Sequence, residues 1–214
     1  MVSITELNYS NTNTYWIEGS KGTLLFDTGW AGTFKSFCSA LREHGKVLQD
    51  IDYILLSHFH PDHVGIAQDI ADKGPVITIV SQQKNFVHAA DGVFAKVKGL
   101  KFTPIVDDRL NVITTEQSRG FLQSLGIEGE IIYTPGHSDD GISLKLDDGR
   151  IFVGDLNPLY ELELHKGTEI ERSWNKLLAF KPSMIYYGHA KTYLMEGKEQ
   201  KESKIDIYLI NDNE

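Results

Sequence analysis

Short apolar runs, separated by polar turns, form the first part of the chain, and each run predicts one element. Residues 2–7, 14–17 and 23–26 read as strands of a meander, with Gly- and Asn-rich turns between them. Apolar residues recur at helical spacing over residues 31–45, and Gly45 lies at the end of this pattern. The chain is therefore predicted to begin with three antiparallel strands and an amphipathic helix.

A strand–helix–strand unit follows. Residues 51–56 form an apolar run, a helical pattern extends to about Lys73, and residues 76–80 form a β-branched run. Two strands joined by a helix pair in parallel within one sheet. This unit predicts an α/β protein.

Further along the chain, strands and one helix are again well marked, whereas residues 82–126 are less informative. Predicted strands cover residues 130–133, 142–146, 150–153 and 183–187, and a predicted helix covers residues 169–180. The sequence Asp147-Asp148-Gly149 predicts a hairpin turn between the second and third of these strands. The weaker patterns predict helices over residues 85–98 and 115–125 and strands over residues 102–106 and 110–113.

An aspartate or a histidine follows closely after five of the predicted strands. These residues are Asp27, His58, His137, Asp155 and His189. In a layered α/β protein, strand ends at one edge form the ligand-binding crevice. We therefore expect the five side chains to lie close together.

The densest group of candidate ligands is His58, His60, Asp62 and His63. In an extended segment, residues two apart point to the same side, and Pro61 favours extended geometry at His60. His58 and His60 are thus expected to converge on one metal ion, while Asp62 and His63 face a second position. The alternative is a set of surface histidines in a polar loop, but the H-x-H-x-D-H spacing favours a metal site.

Asp27 has two interpretations. It ends an apolar strand and precedes Thr28-Gly29, so it suits an ordinary turn. It also suits a residue that orients a metal-bound histidine, or the loop that carries this histidine.

Composition and charge limit the function. The 214 residues are 41% hydrophobic, which predicts one domain over residues 1–214. The formal net charge of −9 argues against nucleic-acid binding. Cys38 is the single cysteine, so no intrachain disulfide forms. The chain shows no leader pattern and no apolar run long enough for a membrane span, so we expect a cytoplasmic protein without a membrane partner. Its oligomeric state stays open.

Together, the motifs resemble those of the metallo-β-lactamase superfamily, in the family's order and across about residues 2–190. The resemblance implies an α/β fold arranged as a four-layer αββα sandwich, with the site at one edge of two sheets. The resemblance implies two divalent metal ions. One ion would be held by His58, His60 and His137, and the other by Asp62, His63 and His189. Asp155 would bridge the two ions, and Asp27 would support the ligands from behind them. Imidazole and carboxylate ligands suit zinc, which we expect, and also iron or manganese.

The activity implied is that of a binuclear metal-dependent hydrolase, in which a hydroxide shared by the two metals attacks a small ester, lactone or thioester. Asp62 is the expected catalytic residue, which orients the nucleophile or passes a proton to the leaving group. Because true β-lactamases of the family usually lack a carboxylate at the bridging position, Asp155 argues against antibiotic hydrolysis.

The expected substrate is a small molecule. Trp30, Phe59 and Tyr160 lie next to site residues in the sequence and are hypothesised to form an apolar pocket wall; the alternative is that they are core residues. A phosphodiesterase of the same fold, a relative that uses one iron for oxygen chemistry and a non-catalytic metal-binding scaffold are the alternative functions.

Overall fold

Two β-sheets and the helices packed on them make up the structure, a computed structural model that describes residues 2–195. The strands are β1 (Ser3–Leu7), β2 (Thr14–Glu18), β3 (Thr23–Phe26), β4 (Tyr53–Leu55), β5 (Val76–Val80), β6 (Asn111–Ile113), β7 (Gly129–Tyr133), β8 (Ile142–Leu146), β9 (Arg150–Phe152), β10 (Met184–Tyr186) and β11 (Tyr193–Leu194). The helices are α1 (Phe34–Glu43), α2 (Pro61–Val64), α3 (Ala67–Ala71), α4 (Asp91–Phe94), α5 (Ser118–Ser124) and α6 (Glu169–Leu178).

The first sheet has the strand order β1-β2-β3-β4-β5-β6. Its first three strands pair antiparallel as the predicted meander, whereas β3 to β6 pair in parallel. The predicted strand–helix–strand unit is present, since Tyr53 of β4 pairs with Val76 of β5 in parallel register. The second sheet has the order β11-β10-β9-β8-β7, and the predicted hairpin is its β8–β9 pair.

Three apolar clusters separate the layers. Between the sheets, Phe26 of β3 packs against Phe152 of β9 with ring centroids 5.6 Å apart. On the outer face of the first sheet, Phe37 of α1 and Ile70 of α3 lie in one cluster with residues of β3 and β4. On the outer face of the second sheet, Trp174 of α6 packs with residues of β9 and β10. The order helix, sheet, sheet, helix confirms the four-layer αββα prediction.

The helical segment after the histidine motif differs from the prediction. Instead of one helix reaching Lys73, two short helices, α2 and α3, are separated at Gly65 and Ile66. The backbone of Gly65 lies against the loop after β3, so that a Cβ atom placed on it would be 2.2 Å from the backbone nitrogen of Ala31. This close approach fixes the turn between the two helices.

The predictions for residues 82–126 were only partly right. β6 and α5 are present, but the predicted helix over residues 85–98 is replaced by a 3₁₀ helix (Ser81–Phe86) and the single turn of α4, and residues 102–106 form no strand. The side chains of Phe94, Phe102 and Ile105 pack into the cluster outside the first sheet. Burial of these side chains, rather than a regular backbone ladder, determines the path of this segment.

Two predictions concern the whole chain. Within residues 2–195, no helix has the length and apolar composition needed to cross a bilayer. The prediction of a single domain extends over Met1 and residues 196–214, which lie outside the described part of the chain, and it stays a prediction.

Candidate metal centre

The predicted site residues meet at one edge of the two sheets. Asp27 directly follows β3, and His137, Asp155 and His189 lie in the loops after β7, β9 and β10. His58 lies in the loop between β4 and α2. Because β3 and β4 are parallel, as are β9 and β10, their carboxyl ends lie at a common edge within each sheet. The strand-end pattern therefore translates into proximity in space.

The first group of candidate ligands consists of His58, His60, His137 and Asp155, whose donor atoms all lie within 4.8 Å of one another. His137 Nε2 is 3.1 Å from His60 Nδ1 and 3.5 Å from an Asp155 oxygen. His58 is buried, whereas His60 and His137 are exposed. The group is thus open to solvent on one side and anchored in the protein on the other.

The second group consists of Asp62, His63 and His189, which are also within 4.8 Å of one another. His189 Nε2 lies 3.0 Å from Asp62 Oδ2 and 3.3 Å from His63 Nε2. Pro61 occupies the first position of α2, and His60 before it is extended, as predicted from the sequence. The start of this short helix therefore separates the two groups.

Asp155 connects the two groups. Its Oδ1 lies 3.2 Å from His63 Nε2, and its Oδ2 lies 3.3 Å from His189 Nε2. The same Oδ2 is 3.5 Å from His137 Nε2 and 3.8 Å from His58 Nε2. One carboxylate thus faces both groups of histidines.

Asp27 contacts the loop that carries the histidine motif at two points. Its Oδ1 accepts a hydrogen bond from the backbone N–H of Ser57 at 2.7 Å, and its Oδ2 lies 3.0 Å from His63 Nδ1. The side chain is fully buried, and the backbone is in the left-handed region with φ of 61°, which a non-glycine residue seldom adopts. These contacts are those of a residue that supports the histidine loop, whereas residues 27–29 form no regular turn; a part for Asp27 in metal binding stays a prediction.

The donor atoms suit a bound cation. Among the described residues, His58 Nε2 is buried and has no hydrogen-bond partner. Asp155 Oδ1 is also buried, and although it lies 3.2 Å from His63 Nε2, it accepts no hydrogen bond. Buried polar atoms are normally paired, because leaving one unpaired costs about 1–3 kcal/mol. Imidazole nitrogen and carboxylate oxygen are ligands of zinc and of iron or manganese. The cluster is therefore suited to binding metal ions.

Two histidines of the first group favour the neutral form that binds a metal. Burial, with a further contribution from His63, holds the pKa of His58 well below its usual range. Burial also lowers the pKa of His137. A neutral imidazole offers its lone pair to a metal without first losing a proton.

The second group retains protons when no metal is bound. Burial alone lowers the pKa of His63, but the carboxylates of Asp27 and Asp155 outweigh it and raise this pKa to about 10. Contacts with Asp155 and Asp62 raise the pKa of His189 to about 10. In return, despite its burial, contacts with His189 and His63 hold the pKa of Asp155 well below its usual range. Positive charge is thus favoured at this position of the site.

A polar loop between β1 and β2 contacts the second group, which the sequence did not indicate. The backbone oxygen of Asn11 accepts a hydrogen bond from His189 Nδ1 at 2.7 Å, and the Thr12 hydroxyl donates to the backbone oxygen of Asp62. The Asn13 side chain donates to two backbone oxygens on either side of His189. These contacts orient His189, and only the tertiary fold brings the loop to this position.

A second missed residue is Asp140. Its side chain is 3% exposed, and its Oδ2 accepts a hydrogen bond from the backbone N–H of Phe59 at 2.7 Å. Phe59 lies between His58 and His60 in the chain, while Asp140 belongs to the loop that carries His137. Asp140 therefore ties together the two loops of the first group. A second acidic residue in the sequence His-Ser-Asp-Asp was the signal available.

The predicted aromatic wall is wrong for Phe59, which is 1% exposed and lies in the apolar cluster outside the first sheet. Trp30 packs against the same cluster, with its ring centroid 5.1 Å from that of Phe94. Both side chains fill the space between the first sheet and its helices, where apolar burial is favourable. Tyr160, in contrast, lines a cavity together with His137 and His189.

Comparisons with known proteins agree with this architecture. A sequence model described as the metallo-beta-lactamase superfamily matches residues 7–189. A relative from Drosophila melanogaster, named beta-lactamase-like protein 2 homolog, is 26% identical over 219 residues, with 97% of this chain and 66% of the relative covered. Its namesake from Caenorhabditis elegans is 27% identical over 210 residues, with 92% and 60% covered. The chain thus spans less than two thirds of the length of these curated relatives.

Solved structures show the same fold at low sequence identity. The protein TTHA1623, solved in a di-iron-bound form, superposes with a TM-score of 0.66 at 21% identity, with 90% of this chain and 94% of that chain covered. The family match extends from the end of β1 to His189 and includes every residue of both candidate ligand groups. On this evidence, the chain belongs to the metallo-β-lactamase superfamily.

Proposed function

We propose that this chain is a hydrolase that uses two divalent metal ions to cleave a small ester, lactone or thioester. The observation that carries the proposal is the pair of ligand groups that share Asp155. Two adjacent sites with a common carboxylate are typical of binuclear hydrolytic centres. The superfamily to which the chain belongs agrees with this proposal.

In the proposed site, the two groups of side chains would hold one ion each, and Asp155 would contact both. The ligands would be His58, His60 and His137 for one ion, and Asp62, His63 and His189 for the other. Two bound divalent ions supply Lewis acidity, which polarises a substrate oxygen and makes a water molecule more acidic. The supporting contacts of Asp27 and Asn11 hold His63 and His189 in place.

Asp62 is the residue proposed to accept a proton from the attacking water molecule and to pass it to the leaving group. Its Oδ2 lies 3.0 Å from His189 Nε2 and accepts a hydrogen bond from Asn11 Nδ2 at 3.3 Å. These contacts fix the carboxylate beside the candidate centre, and its pKa is held below the usual value, chiefly by His189. An ionised carboxylate in this position orients a water molecule through a hydrogen bond and transfers its proton towards the leaving group.

The first experiment is metal analysis of the protein as purified, followed by assays with p-nitrophenyl acetate, a lactone panel and bis-p-nitrophenyl phosphate. We expect two equivalents of metal per chain and hydrolysis of the carboxylic esters or lactones. Activity confined to the phosphodiester would replace the proposal with a phosphodiesterase. A metal-free protein without activity on any of these compounds would overturn it.

The second experiment tests the shared carboxylate. Asp155→Ala should lower hydrolysis at least about 100-fold, since even residues that only support ligands contribute 10–100-fold. Asp107→Ala is the matched control, because Asp107 is exposed and also contacts a histidine, His88, at 3.0 Å. Asp107→Ala should retain activity. Full activity of Asp155→Ala with unchanged metal content would refute the role of Asp155.

Iron is the alternative to zinc as the bound metal. The ligand set contains no cysteine, so it does not select zinc, and the similar structure of TTHA1623 was solved with two irons. Elemental analysis decides between these metals. A single iron per chain would favour oxygen chemistry over hydrolysis.

A further inference from the structure

An apolar groove leads away from the candidate metal centre. One cavity of about 290 Å³ is lined by His137, Asp155 and His189 at its inner end and by Tyr160 and Tyr187 further out. A second cavity of about 220 Å³ adjoins the first, and the two share Tyr160, Tyr187 and Ala190 as lining residues. The rest of the second cavity is lined by Leu159, Lys191 and Tyr193. We call the two adjoining cavities the tyrosine groove.

The walls of the tyrosine groove differ in rigidity. Tyr187 is 5% exposed, packs beside Trp174, and accepts a hydrogen bond on its hydroxyl oxygen from the backbone N–H of Leu159. This wall is therefore fixed. On the other side, Tyr160 is 78% exposed, and Tyr193 at the outer end is 48% exposed. Exposed aromatic rings beside a cleft mark sites where an apolar partner is buried.

The contents of the groove follow from these walls. Apart from the candidate ligands at its inner end, the first cavity is lined mainly by apolar and aromatic side chains, including Leu156 and Pro158. In this first cavity, a charged group would lose its hydration without gaining a charged partner other than the candidate ligands. Lys191 is the charged residue of the second cavity, at its wall. A hydrocarbon chain loses no hydrogen bonds and gains contact with two aromatic rings. At about 290 and 220 Å³, each cavity is smaller than the range of about 300–1,000 Å³ that is typical of small-molecule sites, so the bound hydrocarbon chain is of medium length.

We propose that the tyrosine groove binds the linear acyl chain of an ester or thioester, with the carboxyl end of that chain at the candidate metal centre. This inference rests on the proposed function, since it places the scissile carbonyl beside the ligand groups. It specifies the substrate class further: the acyl part is a saturated chain of medium length, and the alcohol or thiol part lies outside the groove. Tyr160 is the specificity-determining residue, because its ring is the most exposed wall of the groove.

Binding of products tests the groove independently of turnover. Straight-chain carboxylates from acetate to decanoate are titrated into the protein as purified, and their affinities are measured by calorimetry. Burial of each additional methylene should raise the affinity by about fourfold until the groove is filled, after which the affinity levels off. Affinity that does not depend on chain length would overturn the proposal.

Variants locate the binding to the groove. Tyr160→Ala should lower the affinity for octanoate about tenfold, with acetate affected less than about twofold, because only the longer chain reaches the ring. Leu164→Ala is the matched control, since Leu164 is 82% exposed in the same 3₁₀ helix (Leu159–His165) but does not line either cavity. Equal effects of Tyr160→Ala and Leu164→Ala would refute the assignment.

Esters separate this inference from the proposed function. In the p-nitrophenyl series with acyl chains of two to ten carbons, kcat/KM should rise with chain length in the wild type and stay flat in Tyr160→Ala. Hydrolysis without dependence on chain length would leave the hydrolase standing and refute the groove. If the affinity for carboxylates depends on chain length but no ester is hydrolysed, the tyrosine groove stands as a binding site and the proposed hydrolase is refuted. A preference for acetate esters of long alcohols would overturn the stated orientation.

Discussion

Replacing Asp140 by alanine removes the contact that joins the two loops of the first ligand group. The carboxylate is buried and accepts the backbone N–H of Phe59 at 2.7 Å, a short distance that is typical of a hydrogen bond to a charged acceptor. In Asp140→Ala, this N–H would remain in a buried environment without a partner. Because water does not readily reach the vacated position, the donor is not compensated.

The magnitude follows from the type of contact. A hydrogen bond to a charged group contributes about 1.5–3 kcal/mol, and an unpaired buried donor costs a similar amount. We therefore expect Asp140→Ala to lower the free energy of unfolding by about 2–3 kcal/mol. Asp140→Asn retains an acceptor oxygen at the same position and should cost less. Asp139→Ala is the matched control, since the Asp139 side chain is exposed and should contribute within about 0.5 kcal/mol.

Urea denaturation of the metal-free protein measures the stability, and competition with a chromophoric chelator measures metal affinity. Because Asp140 acts on both His58 and His137 through their loops, metal affinity should fall about 10–100-fold in Asp140→Ala. The order of stability should be wild type and Asp139→Ala, then Asp140→Asn, then Asp140→Ala. If Asp140→Ala unfolds at the same urea concentration as Asp139→Ala, the contact does not stabilise the loops and the reasoning fails.

Three further predictions concern backbone packing and charge. Gly65→Ala should destabilise the fold by more than about 1–3 kcal/mol because the new Cβ meets the backbone of the preceding loop, whereas Gly92→Ala, with open space around it, should be neutral or stabilising in the same thermal melts. Contact with Arg119 lowers the pKa of Asp147 to about 2 from 3.8, so this ion pair stabilises the fold above about pH 4 and its contribution is lost as the pH falls towards 2. Because both side chains are partly exposed, Asp147→Asn should lower the free energy of unfolding by less than about 1 kcal/mol at pH 7 and by almost nothing at pH 2. An equal loss of stability at both pH values would contradict the assignment. Metal binding at pH 7 should release at least one proton, because Asp27, Asp155 and Asp62 raise the pKa values of His63 and His189 in the metal-free protein and both ligands bind deprotonated. Calorimetry in buffers of different ionisation enthalpy measures this number, and binding without proton release would contradict the prediction.

The sequence predicted those parts of the site that depend on local pattern. Asp27, His137, Asp155 and His189 each follow a strand that alternation or continuous apolarity identifies, and parallel pairing brings such ends together. The spacing of the histidine motif predicted two facing directions, and His58 and His63 lie in different groups. Local periodicity and strand topology were enough for this much.

Other features depend on contacts between distant segments and were not predictable. The loop over residues 8–13 looks like an ordinary turn, yet Asn13 contacts residues 174 and 177 positions away in the chain. Phe59 is the exception, because its burial was predictable from local pattern: the alternation that points His58 and His60 to one side of an extended segment turns Phe59 to the other side, into the core. The break at Gly65 results from the loop packed against it, which no helical pattern contains.

The distribution of ligands along the chain has a consequence for biosynthesis. His58, His60, Asp62 and His63 are made early, whereas His189 follows more than a hundred residues later. A nascent chain on the ribosome therefore holds only an incomplete chelate until the strand before His189 has left the exit tunnel and joined its sheet. Metal capture at the proposed centre would thus be a late event, which would require that the two halves of the sandwich have come together.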